Sequence, residues 1–405
     1  MPFELFVALR FLREGRGQTA LILAGTTVGV AVIVFLTALI GGLQDTLIDQ
    51  TLSSQPHVVL MRPERVPRVL PPPPGTALAA LVERAPERER SVEQWQQVLA
   101  SVRETPGVLA ATPMASGAAF ASRAEVSRSV SIRGVEPESF DAVIRIAGTV
   151  REGRYRIEGG ECLIGTELAT ALGLAVGDRL RLATAEGRAD LFTVTGLFDI
   201  GSKEVNERWV LVSLRSAQTL LDLSGGITAI EAKVRDVFEA ERIAQALGAR
   251  TGLASDSWMR SNKRLLDGLR SQSASSYMIQ TFVILAVALG IASVLGVSVI
   301  QKSREIGILK ATGTSTGTVM RIFLIEGGIV GVVGSVAGGA LGALLSFVFQ
   351  LSVTNPYGES LFPIALSPRL FLVAGLVATA TGLAAAWLPA RRAALLDPAV
   401  VIRNG

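Results

Sequence analysis

Four long apolar stretches organise the chain. They cover residues 19–43, 273–300, 322–351 and 370–388, and none of them contains Lys, Arg or Asp. Each is close to the roughly 20 residues that an α-helix needs to cross the hydrocarbon core of a bilayer. A long segment of mixed polarity, 44–272, separates the first two stretches. The pattern therefore predicts a membrane protein with four transmembrane helices and one large soluble domain between the first and the second.

The segment before the first span is predicted to be an amphipathic helix. Apolar residues recur at roughly helical spacing within residues 1–18, at Phe3, Phe6, Val7, Leu9 and Leu12. A helix of this kind lies along the membrane surface with its apolar side in the lipid. We expect it to rest on the cytoplasmic face of the membrane.

Basic residues near the ends of the spans predict the orientation. Lys and Arg cluster in residues 1–18, in the connection 301–321 and in the tail 389–405. Loops that are rich in Lys and Arg stay on the cytoplasmic side. These three segments and both termini are therefore predicted to be cytoplasmic, whereas the large domain and the loop 352–369 are predicted to be external.

The external domain is predicted to be α+β and to have two subdomains. Strand-like patterns occur at 57–61, 128–134 and 227–234, and helical patterns occur at 92–104 and 237–247. A β-rich subdomain is predicted as an insertion at about 135–223. A helical pattern at about 257–272 has no breaker before the second span, and we interpret it as a stalk.

Charge and composition exclude several classes of protein. The net charge is +4, and the excess of basic residues lies around the spans, so it indicates topology and not nucleic-acid binding. One cysteine, Cys162, and one histidine, His57, predict no metal site, because metal ligands occur in clusters. The sequence has no G-x-x-x-x-G-K-[ST] phosphate-binding loop. We therefore predict that the chain does not hydrolyse ATP and is not an enzyme.

Glycines recur on the faces of the first and third spans. Small residues four positions apart let helix backbones touch in lipid, where no hydrophobic force drives helices together. We interpret these glycines as helix-packing positions: Gly25, Gly29, Gly327, Gly331, Gly334, Gly338 and Gly342. The spacing leaves open whether they contact helices of the same chain or form sliding or dimerising surfaces.

The short connection between the second and third spans is predicted to be an amphipathic helix. Charged residues begin it, apolar residues follow, and Gly313 stands where a helix commonly ends in the left-handed conformation. Glu326 lies about one turn into the next span. We interpret it as an interfacial carboxylate that reaches the cytosolic edge, and a proton-coupled or gating role is the alternative.

These segments resemble a known family. QKSREIGILKATG, followed by VMRIFLIEGGIVGVVGSVAGGALG and by the C-terminal WLPARRAALLDPAVVIR, is similar to the FtsX-like, or macrolide-exporter-type, permeases of ABC transporters. FVALRFLR, IRGVEPE, IGTELATALGLAVGD and WMRSNKRLLDGLR resemble the lipoprotein-releasing branch of that family. The resemblance covers nearly the whole chain.

The resemblance implies a permease of the bacterial inner membrane with its large domain in the periplasm. It implies a dimer with a second copy or a paralogue, bound by two copies of a separate ATPase that holds ATP and Mg²⁺, so that this chain needs no cofactor of its own. The loop between spans two and three would be the coupling helix seated in the ATPase. Its coupling residues would be Ser303, Arg304, Glu305, Ile306, Gly307, Ile308, Leu309, Lys310 and Gly313.

A cargo site is predicted between the outer halves of the first two spans. Acyl chains need apolar and adaptable contacts, which are available at Leu36, Leu39, Ile40, Leu43, Met278 and Phe282. Contact with lipid or packing inside the bundle explains the same residues equally well. The expected function is extraction of lipoproteins from membrane lipid toward a periplasmic carrier. Two alternatives remain open: an exporter of macrolides, peptides or lipids that works with a periplasmic adaptor, and a regulatory mechanotransmitter without cargo.

Overall fold

The chain divides into two compact units in the computed structural model. One unit comprises Met1–Leu47 and Asp267–Gly405, and the other comprises Ile48–Leu266. The structure describes residues 3–53, 55–63, 91–92, 94–353, 364 and 366–397. The predicted loop 352–369 and the predicted tail 389–405 lie partly outside the described residues.

The helices in chain order are α1 Phe3–Glu14, α2 Arg16–Ser53, α3 Trp95–Arg103, α4 Pro137–Ile144, α5 Thr166–Leu172, α6 Lys203–Arg208, α7 Leu214–Leu220, α8 Ala240–Thr251, α9 Trp258–Ser261, α10 Lys263–Gln301, α11 Ser303–Ala311, α12 Thr316–Ser352 and α13 Pro368–Ala394. The strands are β1 Val58–Met61, β2 Val108–Arg123, β3 Val126–Val135, β4 Val150–Gly153, β5 Glu161–Gly165, β6 Arg179–Thr184, β7 Ala189–Phe198, β8 Trp209–Ser213, β9 Ala229–Val234 and β10 Ala254–Ser257.

Four helices in the described part of the chain are long and apolar enough to cross a membrane. They are α2, α10, α12 and α13. Each contains one predicted span and continues past the apolar stretch at one or both ends, because backbone hydrogen bonding carries a helix on into polar sequence after the apolar run has ended. The predicted stalk at about 257–272 is not one continuous helix. It is broken at Asn262, between α9 and α10.

The unit Ile48–Leu266 is built on one mixed sheet. Its strand order is β10-β1-β9-β2-β3-β8-β5-β7-β4, and β6 pairs with β2 and β7. Neighbouring residues of β5 point to opposite faces, as the alternation of a strand requires. Cys162 and Ile164 join a core cluster that includes residues of α3, α5, α7 and α8, and Leu163 joins a second cluster with residues of α4. Helices therefore cover both faces of the sheet.

The predicted β-rich subdomain does not have a sheet of its own. The long strand β2 pairs with β9 along its first half and with β6 along its second half, and it pairs with β3 on its other side. β3 continues the sheet to β8, and β8 to β5. Strands from about 135–223 therefore extend the sheet begun by the flanking segments. Sequence patterning missed this because strand pairing joins residues far apart in the chain.

Cys162 is fully buried, as predicted for a small apolar residue in a strand. Burial raises the pKa of the Cys162 thiol to about 12. The reactive thiolate is therefore scarce at neutral pH. Introduced surface cysteines can be labelled without removal of Cys162.

Candidate functional site

The predicted coupling segment forms a helix and ends at the predicted glycine. This helix is α11, and Gly313 beyond its end has a φ of 99°. The N–H of Thr314 donates to the carbonyl of Leu309 at 3.0 Å, and the N–H of Gly313 donates to the carbonyl of Lys310 at 3.1 Å. These bonds satisfy the last carbonyls of α11 and turn the chain sharply toward α12.

The predicted coupling residues lie on two faces of α11. Ile306 and Gly307 are buried, and Ile306 joins an apolar cluster that includes Val319 and Phe323 of α12. Ser303, Leu309 and Lys310 are half-buried, and Leu309 packs against the same cluster. The exposed members are Arg304, Glu305, Ile308 and Gly313. Ile308 is 51% exposed, so the outer face of α11 presents one large apolar side chain beside charged neighbours.

Lys302 connects the start of α11 to α1. Its side chain is almost fully buried, and its Nζ donates to the carbonyl of Phe11 at 2.8 Å. The same Nζ lies 4.0 Å from the centroid of the Phe11 ring and 3.9 Å from Oε2 of Glu14. The sequence identifies Lys302 only as one of the basic residues that indicate membrane orientation. Its contact with α1 is seen only in the tertiary structure.

Lys310 connects the end of α11 to the end of α13. Its Nζ donates to the carbonyl of Ala394 at 2.9 Å and to the carbonyl of Leu396 at 2.6 Å. Carbonyls at a helix C-terminus lack intrahelical donors and carry a partial negative charge, so a lysine ammonium is a favourable partner. Lys310 was predicted as a residue that meets the ATPase, but its ammonium points toward the protein.

Charged side chains of α1 lie beside those of α11. Nε of Arg10 donates to Oε1 of Glu14 at 2.7 Å, and this hydrogen bond lowers the pKa of the Glu14 carboxyl. Burial lowers the pKa of the Lys302 ammonium, and the negative charges of Glu326, Glu14 and Glu305 act in the opposite direction. The side of α1 that carries Val7, Ala8 and Phe11 is buried in the same cluster as Ile306.

Glu326 does not reach an aqueous edge. Its residue is 3% exposed, and its Oε2 has no hydrogen-bond partner among the described residues. The interpretation of Glu326 as a water-exposed interfacial carboxylate is therefore wrong. Sequence position alone could not give this burial, because packing decides which side of α12 faces other helices.

The glycines of the third span face two different helices of the same chain. A Cβ at Gly327 or Gly331 would meet the backbone of α13, and a Cβ at Gly334, Gly338 or Gly342 would meet α2. Gly29 of α2 faces Val287 of α10. Among the described residues, no neighbouring helix comes within 4 Å of a Cβ added at Gly25, so this part of the chain shows no packing role for it.

The predicted cargo residues differ in exposure. Leu36, Leu39, Ile40 and Leu43 of α2 are half-buried, whereas Met278 and Phe282 of α10 are 63% and 65% exposed. The buried apolar clusters of the described residues include none of the six. All six are therefore apolar surface or part-surface positions on the first two spans.

Polar side chains join α2 and α10 on the same stretch of the bundle. Nε2 of Gln280 donates to Oγ1 of Thr37 at 3.0 Å, and Nε2 of Gln44 donates to Oγ of Ser273 at 2.7 Å. Interhelical hydrogen bonds in membranes contribute about 0.6 kcal/mol on average. Sequence reasoning missed these residues, although isolated Gln and Thr side chains in apolar spans are a usable signal.

Comparison with known proteins identifies the family to which the chain is related. The family described as MacB-like periplasmic core domain matches residues 19–250, and the family described as FtsX-like permease C-terminal matches residues 277–398. The lipoprotein-releasing system transmembrane protein LolC of Xylella fastidiosa is 26% identical, and the alignment covers 99% of each chain. LolE of Haemophilus influenzae is 24% identical over 94% of this chain and 92% of its own length.

Other relatives match a smaller part. The macrolide export ATP-binding/permease protein MacB of Shigella boydii is 32% identical over 49% of this chain and 30% of its own. The crystal structure of the periplasmic region of MacB from Actinobacillus actinomycetemcomitans covers 54% of this chain and 95% of its own, with 11% identity and a TM-score of 0.33. From the two family matches and the four candidate membrane helices, the chain belongs to the FtsX-like permease family and carries a MacB-like periplasmic core domain between its first and second membrane helices.

Proposed function

We propose that the chain is the permease subunit of an ABC transporter that extracts lipoproteins from the inner membrane, and that a separate ATPase drives it through α11. The observation that carries this proposal is the alignment with lipoprotein-releasing transmembrane proteins from one end of the chain to the other. The match to the macrolide exporter covers only about half of the chain.

The outer face of α11 supports the contact with an ATPase. Ile308 offers an exposed apolar anchor, and Arg304 and Glu305 surround it with charges of both signs. Interface hot spots commonly have this form, with a buried apolar centre and a polar rim. The sequence also lacks a phosphate-binding loop, which supports our proposal that a separate partner holds ATP and Mg²⁺.

The basic residues near the spans support the proposed orientation. Arg10, Arg13 and Arg16 precede the first span, and Arg391 and Arg392 end α13. We therefore place α1, α11 and both termini in the cytoplasm and the sheet domain in the periplasm. A second copy or a paralogue completes the permease pair, and a soluble periplasmic carrier receives the cargo.

The cargo opening has a direct test in photo-crosslinking. A photoreactive amino acid at Met278 or Phe282 is expected to crosslink to an acylated protein in the bilayer, because both side chains are exposed and apolar. Leu372 of α13 is a matched control, since it is also apolar and 62% exposed. Equal crosslinking at Leu372 and Met278 would show general contact with lipid-borne protein and would remove the assignment.

Reconstitution tests the function as a whole. The chain is purified from its native membranes with its associated ATPase, placed in liposomes with a triacylated protein, and supplied with ATP and a soluble carrier. We expect release of the triacylated protein to the carrier, and no release with a hydrolysis-deficient ATPase. Isolation of the intact complex without any ATPase would contradict the proposal.

A second candidate is an exporter of macrolides, peptides or lipids that works with a periplasmic adaptor. The 32% identity to a macrolide exporter over half of this chain favours it as the alternative. In the same liposomes, ATP-dependent transport of a small amphiphile only when an adaptor is present would select the exporter. ATP hydrolysis with neither release nor transport would select a mechanotransmitter without cargo.

A further inference from the structure

Two lysines hold α11 at its opposite ends. Lys302 immediately precedes the helix and Lys310 lies near its last residue, about 12 Å farther along the axis. Each ammonium donates to backbone carbonyls in the last turn or just beyond the end of another helix, Lys302 to α1 and Lys310 to α13. Three helices from three different parts of the chain are thereby joined at one end of the bundle.

The contacts of the two lysines go beyond what a basic residue needs in order to set membrane orientation. A positive charge that fixes orientation functions equally well when it is exposed, as Arg304 is. Lys302 is instead 8% exposed, and burial of an ammonium is costly unless partners compensate for the lost water. The contacts present are with the Phe11 carbonyl, the Phe11 ring and the Glu14 carboxylate, and the negative charges of Glu326 and Glu305 also act on the ammonium.

The apolar contacts of α11 are weakly directional and do not by themselves fix its orientation relative to α1 and α13. Ile306 and Leu309 pack against a cluster made of α1, α10, α12 and α13 residues, and apolar packing is not directional. Hydrogen bonds to named carbonyls are directional and fix both ends of the helix relative to its neighbours. The two lysines therefore fix the position of α11 on an apolar contact that is not itself directional.

We propose that Lys302 and Lys310 are positioning residues that tie the coupling helix to α1 and to the end of α13, so that the three helices move as one body when the ATPase acts on α11. This inference rests on the proposed function for its motor. The contact surface for the motor then extends beyond α11. Arg10 of α1 interacts electrostatically with Glu305 and is hydrogen-bonded to Glu14, so both α1 side chains would move with α11.

The positional part of the proposal is tested on the permease alone in nanodiscs, without an ATPase. Spin labels are attached at Arg13→Cys and Thr312→Cys, both exposed positions, and dipolar EPR measures the distance distribution between α1 and the end of α11. Lys302→Met is expected to broaden the distribution clearly. Lys203→Met, at a lysine side chain that is 76% exposed in the other unit, is the matched control and is expected to leave it unchanged. An unchanged distribution in Lys302→Met overturns the proposal.

Lys310 provides an independent variant if Lys302→Met fails to fold. Labels at Thr312→Cys and Leu395→Cys report on the contact between α11 and α13, and Leu395 is 69% exposed. Lys310→Met is expected to broaden this distribution, and Lys310→Arg is expected to retain it, because Lys310 is only half-buried and an arginine has room to donate to the same carbonyls. Equal broadening in both variants would exclude the cation as the cause.

The coupling part is read from two rates in the reconstituted complex. Loss of a hydrogen bond from a charged donor corresponds to about a tenfold effect, and we expect ATP-dependent release to fall by about that factor in Lys310→Met while ATP hydrolysis is retained. Lys310→Arg should restore release. A merely structural defect would lower both rates together, and that outcome overturns the positioning role. Failure of the unsubstituted complex to release cargo would instead contradict the proposed function, whatever the EPR distances show.

Discussion

Replacement of Ile308 with aspartate is expected to separate ATP hydrolysis from work on the cargo while the bundle stays folded. Ile308 is 51% exposed on α11, so a carboxylate there keeps its water in the isolated permease. In the complex, the same carboxylate would be buried against the ATPase and lose that water. If Ile308 is an anchor worth about 2 kcal/mol, binding of the ATPase weakens by roughly 30-fold.

The measurement is the affinity of the purified permease for its ATPase, together with the rate of cargo release. Val176→Asp is the matched control, because Val176 is an exposed apolar residue of the unit Ile48–Leu266 and is not part of α1, α11 or the end of α13. Ile306 and Leu309 are unsuitable probes, since both pack against the apolar cluster beneath α11 and their replacement would disturb the fold. Full ATPase affinity in Ile308→Asp would remove α11 as the coupling surface.

Replacement of Gly338 with valine is expected to destabilise the bundle. A Cβ at Gly338 would lie 2.6 Å from the carbonyl oxygen of Thr27 and 2.6 Å from Cβ of Val30, so α12 and α2 must separate. Excess volume at a tight contact typically costs about 1–3 kcal/mol. Thermal unfolding in mild detergent measures the loss.

Gly25→Val is the matched control for Gly338→Val. It makes the same substitution inside a membrane helix, with the same change in helix propensity, but no neighbouring helix in the described part of the chain lies within 4 Å of the added Cβ. We expect the control to keep nearly all of its stability as a purified single chain. Equal losses in the two variants would show that helix propensity, and not the contact between α12 and α2, accounts for the effect.

The positions of the four membrane helices could be predicted from the sequence because length and apolarity are properties of a continuous segment. Residues 273–300, for example, fall inside α10, although the helix itself begins at Lys263. The end of α11 could likewise be predicted from a local signal. Gly313 has the left-handed conformation that only glycine adopts without strain, so one residue type at one place predicted the turn.

The arrangement of the sheet domain was beyond the sequence patterns. Strand periods predicted several strands, but the pairing of β2 with β9, β3 and β6 joins segments as distant in the chain as Val108 and Val234. The ion pair between Arg133 and Glu231 shows the same limit. The Glu231 side chain is buried and that of Arg133 is partly buried, and the Arg133 guanidinium stacks over the Trp209 ring at 3.9 Å, yet nothing local marks these residues as partners.

The sequence by itself determined that this chain has four membrane helices with a soluble α+β domain after the first, and that it has the segments typical of an FtsX-like permease. Only the tertiary structure decided which side of each helix meets which neighbour. It turned Ile308 outward and Lys302 and Lys310 inward, and it divided the glycines of α12 between α2 and α13. The physical reason is that hydrophobicity along a chain specifies burial, whereas the partner in a contact depends on atoms that the chain brings together from distant positions.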